Sequence, residues 1–140
     1  MEEIIFSLAN EISLLSWIVI IIFPFKNWTS RYIIAIPISL LSLAYLSMVF
    51  TALGGEGGFS TLHEVMLLFQ SEKAVLIGWI HYLAFDLMVG MYIVNNAKLQ
   101  GINRFIIVPA LILTFILGPV GLLTYFLIRI IYTKKYFHNY

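Results

Sequence analysis

Residues 74–94, AVLIGWIHYLAFDLMVGMYIV, decide the fold class. The run is as long as the roughly 20 apolar residues that a helix needs to cross a bilayer. The whole chain has the same character, because 61% of its 140 residues are hydrophobic and only 11% are charged. A soluble domain of this length has too little interior to bury so many apolar side chains. The composition therefore excludes a soluble enzyme, a nucleic-acid-binding protein and a disordered linker.

Hydropathy divides the chain into four apolar segments separated by polar connections. The predicted spans cover about residues 4–25, 32–53, 74–94 and 105–131 of one transmembrane domain, 1–140. The short connections make consecutive helices antiparallel neighbours, so we expect an all-α integral membrane four-helix bundle. The fourth segment exceeds the length of a perpendicular helix. Its Pro119 also removes a backbone donor and clashes with the carbonyl of Phe115, so we expect a kink there.

The connection between the second and third spans carries a helix signal of its own. After the glycine-rich residues 54–58, which we expect to be flexible, Thr61 and Glu64 match the S/T-x-x-E capping box. Apolar residues then recur at helical spacing at Leu62, Val65, Met66 and Phe69. This pattern predicts a short interfacial helix between helices two and three, with an extension of the third helix as the alternative.

The membrane orientation follows only weakly from charge. Four predicted spans place two Lys and two Arg beside the short connections, and the remaining Lys and Arg on the side of both termini. The positive-inside count is therefore a tie. Because Glu2 and Glu3 precede the first span and Lys26 and Arg31 follow it, we expect both termini to face away from the cytoplasm of a bacterial inner membrane.

Ionisable residues at bilayer depth are costly, and each is a functional-site hypothesis. Glu11, His81 and Asp86 qualify. An aspartate in mid-span must face the bundle interior or a water pocket, with its charge paired or neutralised. His81 and Asp86 lie about 140° apart around a helix, so they do not form a simple dyad but can line adjacent walls of one pocket. In the alternative, Asp86 bonds a hydroxyl of another helix and only fixes packing, and Glu11 reaches the interface.

The chain offers little for a cofactor, a metal or a nucleic acid. Its net charge is +1, and it has no cysteine for iron–sulfur, thiolate zinc or covalent haem. Of the histidines only His81 lies at span depth, since His63 and His138 lie in a connection and in the tail. We therefore expect no cofactor, no metal and no nucleic-acid partner.

Several segments together resemble a known family. The strings GWIHYLAFDLMVG at 78–90, PALILTF at 109–115 and GPVGLL at 118–123 look like the abscisic-acid-deficient-four-like family, whose plant members are associated with neoxanthin synthesis. The resemblance implies a multi-spanning membrane protein linked to carotenoid epoxide isomerisation. It carries over Asp86 and His81 as the ionisable positions, and it places Trp79, Tyr82, Thr114 and Pro119 within matching motifs. The chain departs from several family patterns at Tyr92 and Ala110, which leaves the substrate open.

These observations combine into a hypothesis about function. We expect a membrane protein that binds a carotenoid or another isoprenoid and isomerises it with Asp86 and His81 as catalytic residues. The expected ligand-binding residues are Glu11, Trp79, Tyr82, Phe85, Thr114 and Pro119. The alternative is a small non-catalytic membrane subunit that holds a helix bundle, a second copy of itself or a carotenoid-pathway partner.

Overall fold

The computed structural model describes residues 1–52 and 57–134. Within these ranges the regular structure is helical and contains no strand, which confirms the all-α prediction. The residues 54–56 of the expected flexible stretch and the end of the second predicted span at Leu53 lie outside the described ranges. The helices are α1 (Glu2–Ile22), α2 (Asn27–Ile33), α3 (Ser39–Ala52), α4 (Leu62–Leu68), α5 (Glu72–Leu99), α6 (Arg104–Leu117) and α7 (Pro119–Thr133).

Three helices in the described ranges are long and apolar enough to cross a membrane, which makes the chain a membrane protein. They are Glu2–Ile22, Asn27–Thr51 and Glu72–Leu99. The second of them joins α2 to α3 through a π-helical turn at Ile34–Ile38, which contains Pro37. Proline has no N–H to donate and its ring crowds the preceding turn, and the wider π turn accommodates both effects without breaking the helix.

Helix α5 is the centre of the molecule, with α1 parallel to it and the α2–α3 helix antiparallel. Toward the N-terminus of α5, the Trp79 indole donates to Asn10 Oδ1 of α1 over 2.9 Å, and Lys73 donates to the Thr51 carbonyl. At the other end, Lys98 Nζ donates to Asn27 Oδ1 over 2.7 Å. We call these the Glu72 end and the Lys98 end of the bundle.

Helices α6 and α7 form a tight hairpin, and this differs from the single kinked span predicted for 105–131. The two helices pack against each other. The Tyr125 hydroxyl of α7 donates to Asn96 Oδ1 near the Lys98 end of α5. Tyr132, close to the end of α7, lines the same cavity as Arg104 and Phe105 at the start of α6. The chain therefore reverses direction between the two helices.

The reversal has a local cause at Gly118 and Pro119. Gly118 has φ 44° and ψ −94°, a left-handed backbone that a side chain would strain. Pro119 cannot extend α6, because it has no N–H for the last turn, but its fixed φ suits the first position of α7. Helix α6 has 14 residues, so it rises about 21 Å and reaches only the middle of α5 before the chain turns back.

The hairpin changes where the charges and the termini lie. Helix α1 begins at the Glu72 end, and α7 finishes at the Lys98 end, so the described chain does not bring its two ends together as four spans would. Of the described basic residues, Lys73 lies at the Glu72 end. The others lie toward the Lys98 end: Lys26, Arg31, Lys98, Arg104, Arg129 and Lys134.

The core depends on close approach between helices. Trp17 of α1 is 2% exposed and packs on Gly90 of α5, where an added Cβ would lie 2.7 Å from the indole. The Trp17 ring also contacts Phe115 of α6, with the centroids 5.7 Å apart. Within the hairpin, Gly121 of α7 lies directly against Thr114 of α6. Glycine at these two positions lets the apolar helices interlock.

We predict that Gly121→Ala destabilises the protein by about 1–3 kcal/mol, because a methyl group there would overlap the backbone nitrogen of Thr114. Thermal unfolding of the detergent-purified protein measures the effect. Val120→Ala is the matched control, since Val120 is exposed on the same turn. Equal melting temperatures for Gly121→Ala and the wild type would show that the two helices do not pack this closely.

Candidate functional site

Asp86 lies halfway along α5, where the hairpin turns. Its side chain is 8% exposed. An added Cβ on Gly118 would lie 2.8 Å from Asp86 Oδ1, so the carboxyl group rests directly against the turn. In the described part of the chain, Asp86 Oδ2 is buried without a hydrogen-bond partner. Burying an oxygen without a hydrogen-bond partner lowers the stability of the folded protein. An Asp at this position therefore favours a bound ligand or a proton as the partner of Oδ2.

Tyr82 precedes Asp86 by one helical turn and reaches the same place. Its hydroxyl lies 3.5 Å from the carbonyl oxygen of Phe115 and 3.4 Å from that of Ile116. The Phe115 carbonyl would accept from residue 119 in a continuous helix, but Pro119 has no N–H to give. Both distances are long for an O–H donor, so the hydroxyl is only loosely held. It also interacts with the Asp86 carboxyl group.

These groups form what we call the turn site: Tyr82, Asp86, Gly118 and the carbonyls of Phe115 and Ile116. Gly118 ends α6 and begins α7, so the carboxyl group lies beside the C-terminus of one helix and the N-terminus of another. The partial charges of these two helix ends have opposite signs. The site therefore combines the buried Asp86 carboxyl group with the Tyr82 hydroxyl and the last carbonyls of α6, halfway along α5.

An aromatic path leads from the turn site toward the Glu72 end. The Trp79 ring lies 5.5 Å from the Tyr82 ring and 5.9 Å from the Phe6 ring. Trp79 and Phe6 also line a cavity of about 350 Å³ between the first turns of α1 and α5. Glu2, Glu3 and Glu72 also line this cavity. The apolar walls of the cavity thus continue along α5 to the turn site.

His81 lies on a different face of α5. Its ring stacks on Phe85, with the centroids 4.5 Å apart, and contacts Tyr45 of α3 at 5.5 Å. Both His81 and Phe85 are exposed on the outside of the bundle. The structure therefore gives His81 and Asp86 separate sets of neighbours, and Tyr82 is the ionisable side chain that it brings to Asp86.

The other predicted site residues divide between the turn site and the outer surface. Pro119 follows Gly118 directly and is exposed. Thr114 is buried one turn before Gly118, and its hydroxyl donates to the Ala110 carbonyl rather than to a ligand. Glu11 is exposed on α1. The turn site thus combines Tyr82 and Asp86 with Pro119 and Thr114 at its edge, and it does not include Glu11.

A second polar cluster, between α5 and α7, was missed by the sequence reasoning. The Tyr125 hydroxyl donates to Asn96 Oδ1 over 2.6 Å, and both side chains are buried. Arg129, one turn further along α7, is 6% exposed. The assumption of one continuous fourth span placed Arg129 near water at the far side of the membrane. The sequence does contain a signal for this cluster, because the polar residues Asn96 and Arg129 each lie near the end of an apolar run.

The described side chains provide no cluster of three or more His, Asp or Glu residues that could hold a metal ion. Tyr125 and Arg129 lie together in the second cluster, and the turn site holds the carboxyl–phenol pair of Asp86 and Tyr82. The chemistry that this pair can perform is the transfer of protons to and from a bound molecule.

The structure so far defines an all-helical membrane protein with a polar site at the turn of a helical hairpin. Comparison with known families identifies it further. The model of the ABA4-like family, described as ABA DEFICIENT 4-like, matches residues 4–125, and the chain belongs to this family. The matched region contains the entire turn site. No match was found among curated proteins or among solved structures.

We predict that Tyr125→Phe destabilises the protein by about 1–3 kcal/mol, because it leaves the buried oxygen of Asn96 without its donor. Chemical or thermal unfolding in detergent measures the difference. Tyr32→Phe removes the same hydroxyl from an exposed side chain and serves as the control. A loss of stability in Tyr32→Phe as large as in Tyr125→Phe would contradict a special role for the buried bond.

Proposed function

We propose that the protein binds a carotenoid or another isoprenoid at the turn site and isomerises it by opening an epoxide. The observation that carries the proposal is the buried Asp86 carboxyl group, with Oδ2 lacking a partner among the described residues, beside the loosely held Tyr82 hydroxyl. An unpaired carboxyl group at the middle of a span is expensive and is expected where function requires it. Membership of the ABA4-like family supports the choice of ligand class.

The proposed reaction is an isomerisation with no net redox change. A proton is added to the epoxide oxygen, one carbon–oxygen bond breaks, and a neighbouring carbon loses a proton, so that the products are a hydroxyl group and an allene. One proton enters and one leaves, and the atoms balance. The reaction therefore needs an acid near the oxygen and a base near the carbon.

Asp86 and Tyr82 suit these two roles. In the proposal the Asp86 carboxylate accepts the proton from carbon, and the Tyr82 hydroxyl donates one to the epoxide oxygen. Because the two side chains interact, Asp86 can return its proton to Tyr82 after the reaction. The sequence paired Asp86 with His81, but His81 lies against Tyr45 and Phe85. The proposal therefore gives His81 and Phe85, which lie on another face of α5, no part in the reaction.

The surroundings of the turn site suit a long apolar ligand. Trp79 is 40% exposed and joins the cavity at the Glu72 end to Tyr82. Trp79 and Asp86 are separated by about 10 Å along the helix axis, a distance that an isoprenoid chain covers easily. A ligand could thus enter sideways from the lipid, with its reactive end at Asp86 and its chain along the aromatic path.

The proposal includes an arrangement in the membrane. Helices α1, α2–α3 and α5 span the bilayer, and the α6–α7 hairpin enters from the Lys98 end and returns to it. In this proposal they replace the four complete spans predicted from hydropathy. Basic residues gather at the Lys98 end, so this end faces the cytoplasm, and the N-terminus lies outside. Irregular backbone at Gly118 is tolerated at membrane depth because it lies within the protein.

Helix α4 fits a position at the membrane interface in this arrangement. The Thr61 hydroxyl accepts from the Glu64 amide, and Glu64 Oε2 accepts from the Ser60 amide, which closes the N-terminus of the helix. Leu62 and Met66 are exposed, and α4 has no buried residue. The exposed Leu62 and Met66 side chains would be covered at a lipid surface.

The alternative function is a non-catalytic subunit in which Asp86 only fixes the helix packing. That alternative expects Asp86 to bond a Tyr, Ser or Thr of another helix. In the structure the side chain that interacts with Asp86 is Tyr82, which belongs to the same helix. The unpartnered Oδ2 therefore favours the ligand site over the packing role.

We predict that expression in carotenoid-producing cells changes the pigment profile and that Asp86→Asn abolishes the change, because an amide cannot accept the proton. Tyr82→Phe is expected to lower the amount of product at least 100-fold, in line with the usual contribution of an acid–base group. Chromatography of extracted pigments measures both. Glu11→Gln is the control, since it makes the corresponding acid-to-amide change at an exposed carboxylate of α1, outside the turn site and the aromatic path.

Two results would count against the enzyme. Identical pigments with the wild type and Asp86→Asn in every substrate background would remove the catalytic proposal. A lower folded yield of Asp86→Ala in detergent, with no stabilisation of the wild type by carotenoid or isoprenoid ligands, would favour the packing role.

We predict that Glu3 and Lys134 lie on opposite sides of the membrane. The chain has no cysteine, so Glu3→Cys and Lys134→Cys each introduce a single thiol. A membrane-impermeant maleimide is applied to cells whose outer membrane has been removed and whose inner membrane is intact. It should label position 3 at once and position 134 only after the inner membrane is permeabilised. Labelling of both positions from the same side would instead support four complete spans.

A further inference from the structure

We propose that a cavity at the Lys98 end binds the phosphate headgroup of an anionic membrane phospholipid. The cavity has a volume of about 470 Å³ and lies where the α5–α6 connection meets the end of α7. Lys98, Asn103 and Arg104 supply its polar lining, and Phe105 and Tyr132 supply aromatic walls. The site is separate from the turn site, and the proposal does not depend on isomerase activity.

The charge around this cavity is positive, and the described residues that line it include no Asp or Glu. Lys98 lies in the last turn of α5 and Arg104 in the first turn of α6. The buried Arg129 lies one turn before Tyr132, and its Nε has no hydrogen-bond partner among the described residues. The acidic residues described near a bundle end lie at the opposite, Glu72 end: Glu2, Glu3 and Glu72. The positive charge at the Lys98 end therefore favours the binding of an anion from outside the protein.

The chemistry of the lining fits a phosphate group. The guanidinium of Arg104 presents several N–H donors to phosphate oxygens, and the Lys98 ammonium adds a second positive charge. Lys98 already donates to the Phe25 carbonyl and to Asn27 Oδ1, which holds its ammonium at the rim of the cavity. Asn103 caps α6 through the Phe105 amide, and the start of a 14-residue helix adds partial positive charge.

The depth of the cavity favours a lipid over a free anion. It lies at the ends of apolar helices, which is the level of the headgroups when these helices cross a bilayer. The Phe105 ring is 68% exposed and lies under the Arg104 guanidinium, 4.6 Å from centroid to carbon. Tyr132 is also exposed. Aromatic rings beside a cationic pocket suit a molecule with an anionic head and an apolar body.

Binding there would stabilise the hairpin. The cavity joins residues from the end of α5, the beginning of α6 and the end of α7. A headgroup that contacts Lys98 and Arg104, with its acyl chains against Tyr132, would hold both ends of the hairpin to α5. The lipid is thus expected to raise the unfolding temperature of the whole protein.

The test compares phosphatidylglycerol, phosphatidylcholine and inorganic phosphate added to the full-length protein in a neutral detergent. Thermal unfolding gives the stabilisation, and native mass spectrometry counts bound lipids. We expect phosphatidylglycerol to raise the melting temperature by several degrees and to remain bound. Phosphatidylcholine and inorganic phosphate should each give less than half of that shift.

Substitutions test whether the lipid binds in this cavity. Arg104→Gln should bind phosphatidylglycerol at least fivefold more weakly, and Arg104→Lys should retain most of the binding. Arg31→Gln removes one positive charge at the same end of the bundle but outside the cavity lining, and it should bind like the wild type. The melting temperature without lipid and the circular dichroism spectrum show whether each variant is folded.

Three outcomes would overturn the proposal. Equal shifts with phosphatidylcholine would remove the requirement for an anionic head, and equal shifts with inorganic phosphate would show a free-anion site. Equal losses in Arg31→Gln and Arg104→Gln would mean that general surface charge, and not this cavity, attracts the lipid. If Arg104→Gln does not fold, the same comparison is made between Lys98→Gln and Arg31→Gln.

Discussion

The reversal of the chain at Gly118 and Pro119 is the constraint on which the rest of the structure depends. A glycine with positive φ followed by proline ends α6 halfway along α5 and starts α7 in the opposite direction. The turn leaves the Phe115 and Ile116 carbonyls without helical donors and sets them beside Tyr82. It also sets the backbone of Gly118 against the Asp86 carboxyl group. Polar groups that would be scattered along a continuous span are therefore gathered at one depth.

The same reversal decides how charge is distributed across the molecule. Because α7 returns to the Lys98 end, Arg129 and Lys134 lie at the same end of the bundle as Lys98 and Arg104. The opposite, Glu72 end is mostly acidic. A tie in the positive-inside count becomes a clear asymmetry. The molecule then has two chemically distinct regions, the turn site halfway along α5 and a cationic cavity at the Lys98 end. The first is the site of the proposed reaction, and the second is the site of the proposed lipid binding.

Much of the fold followed from local patterns. Hydropathy identified three helices that the structure also shows, and the Thr61–Glu64 capping box predicted α4. The motif around Asp86 led to the right family. The hairpin did not follow, because a mostly apolar segment such as 105–131 has the same hydropathy whether it forms one span or two shorter helices. Periodicity also placed His81 and Asp86 on different faces, and it placed Tyr82, one turn before Asp86, on the face of the carboxyl group. It could not show that Gly118 would lie against that face.

The sequence by itself determined that this is a membrane protein, that its fold is helical and to which family it belongs. These properties depend on composition and on short motifs. Only the tertiary structure decided which polar groups meet. Whether the Gly118–Pro119 pair kinks a helix or reverses it depends on how α6 and α7 pack on each other and on α5, through contacts such as Gly121 with Thr114 and Tyr125 with Asn96. The Tyr125–Asn96 bond joins residues 29 positions apart, and the Gly121–Thr114 contact forms only when the chain reverses between them, so no local pattern predicts either one.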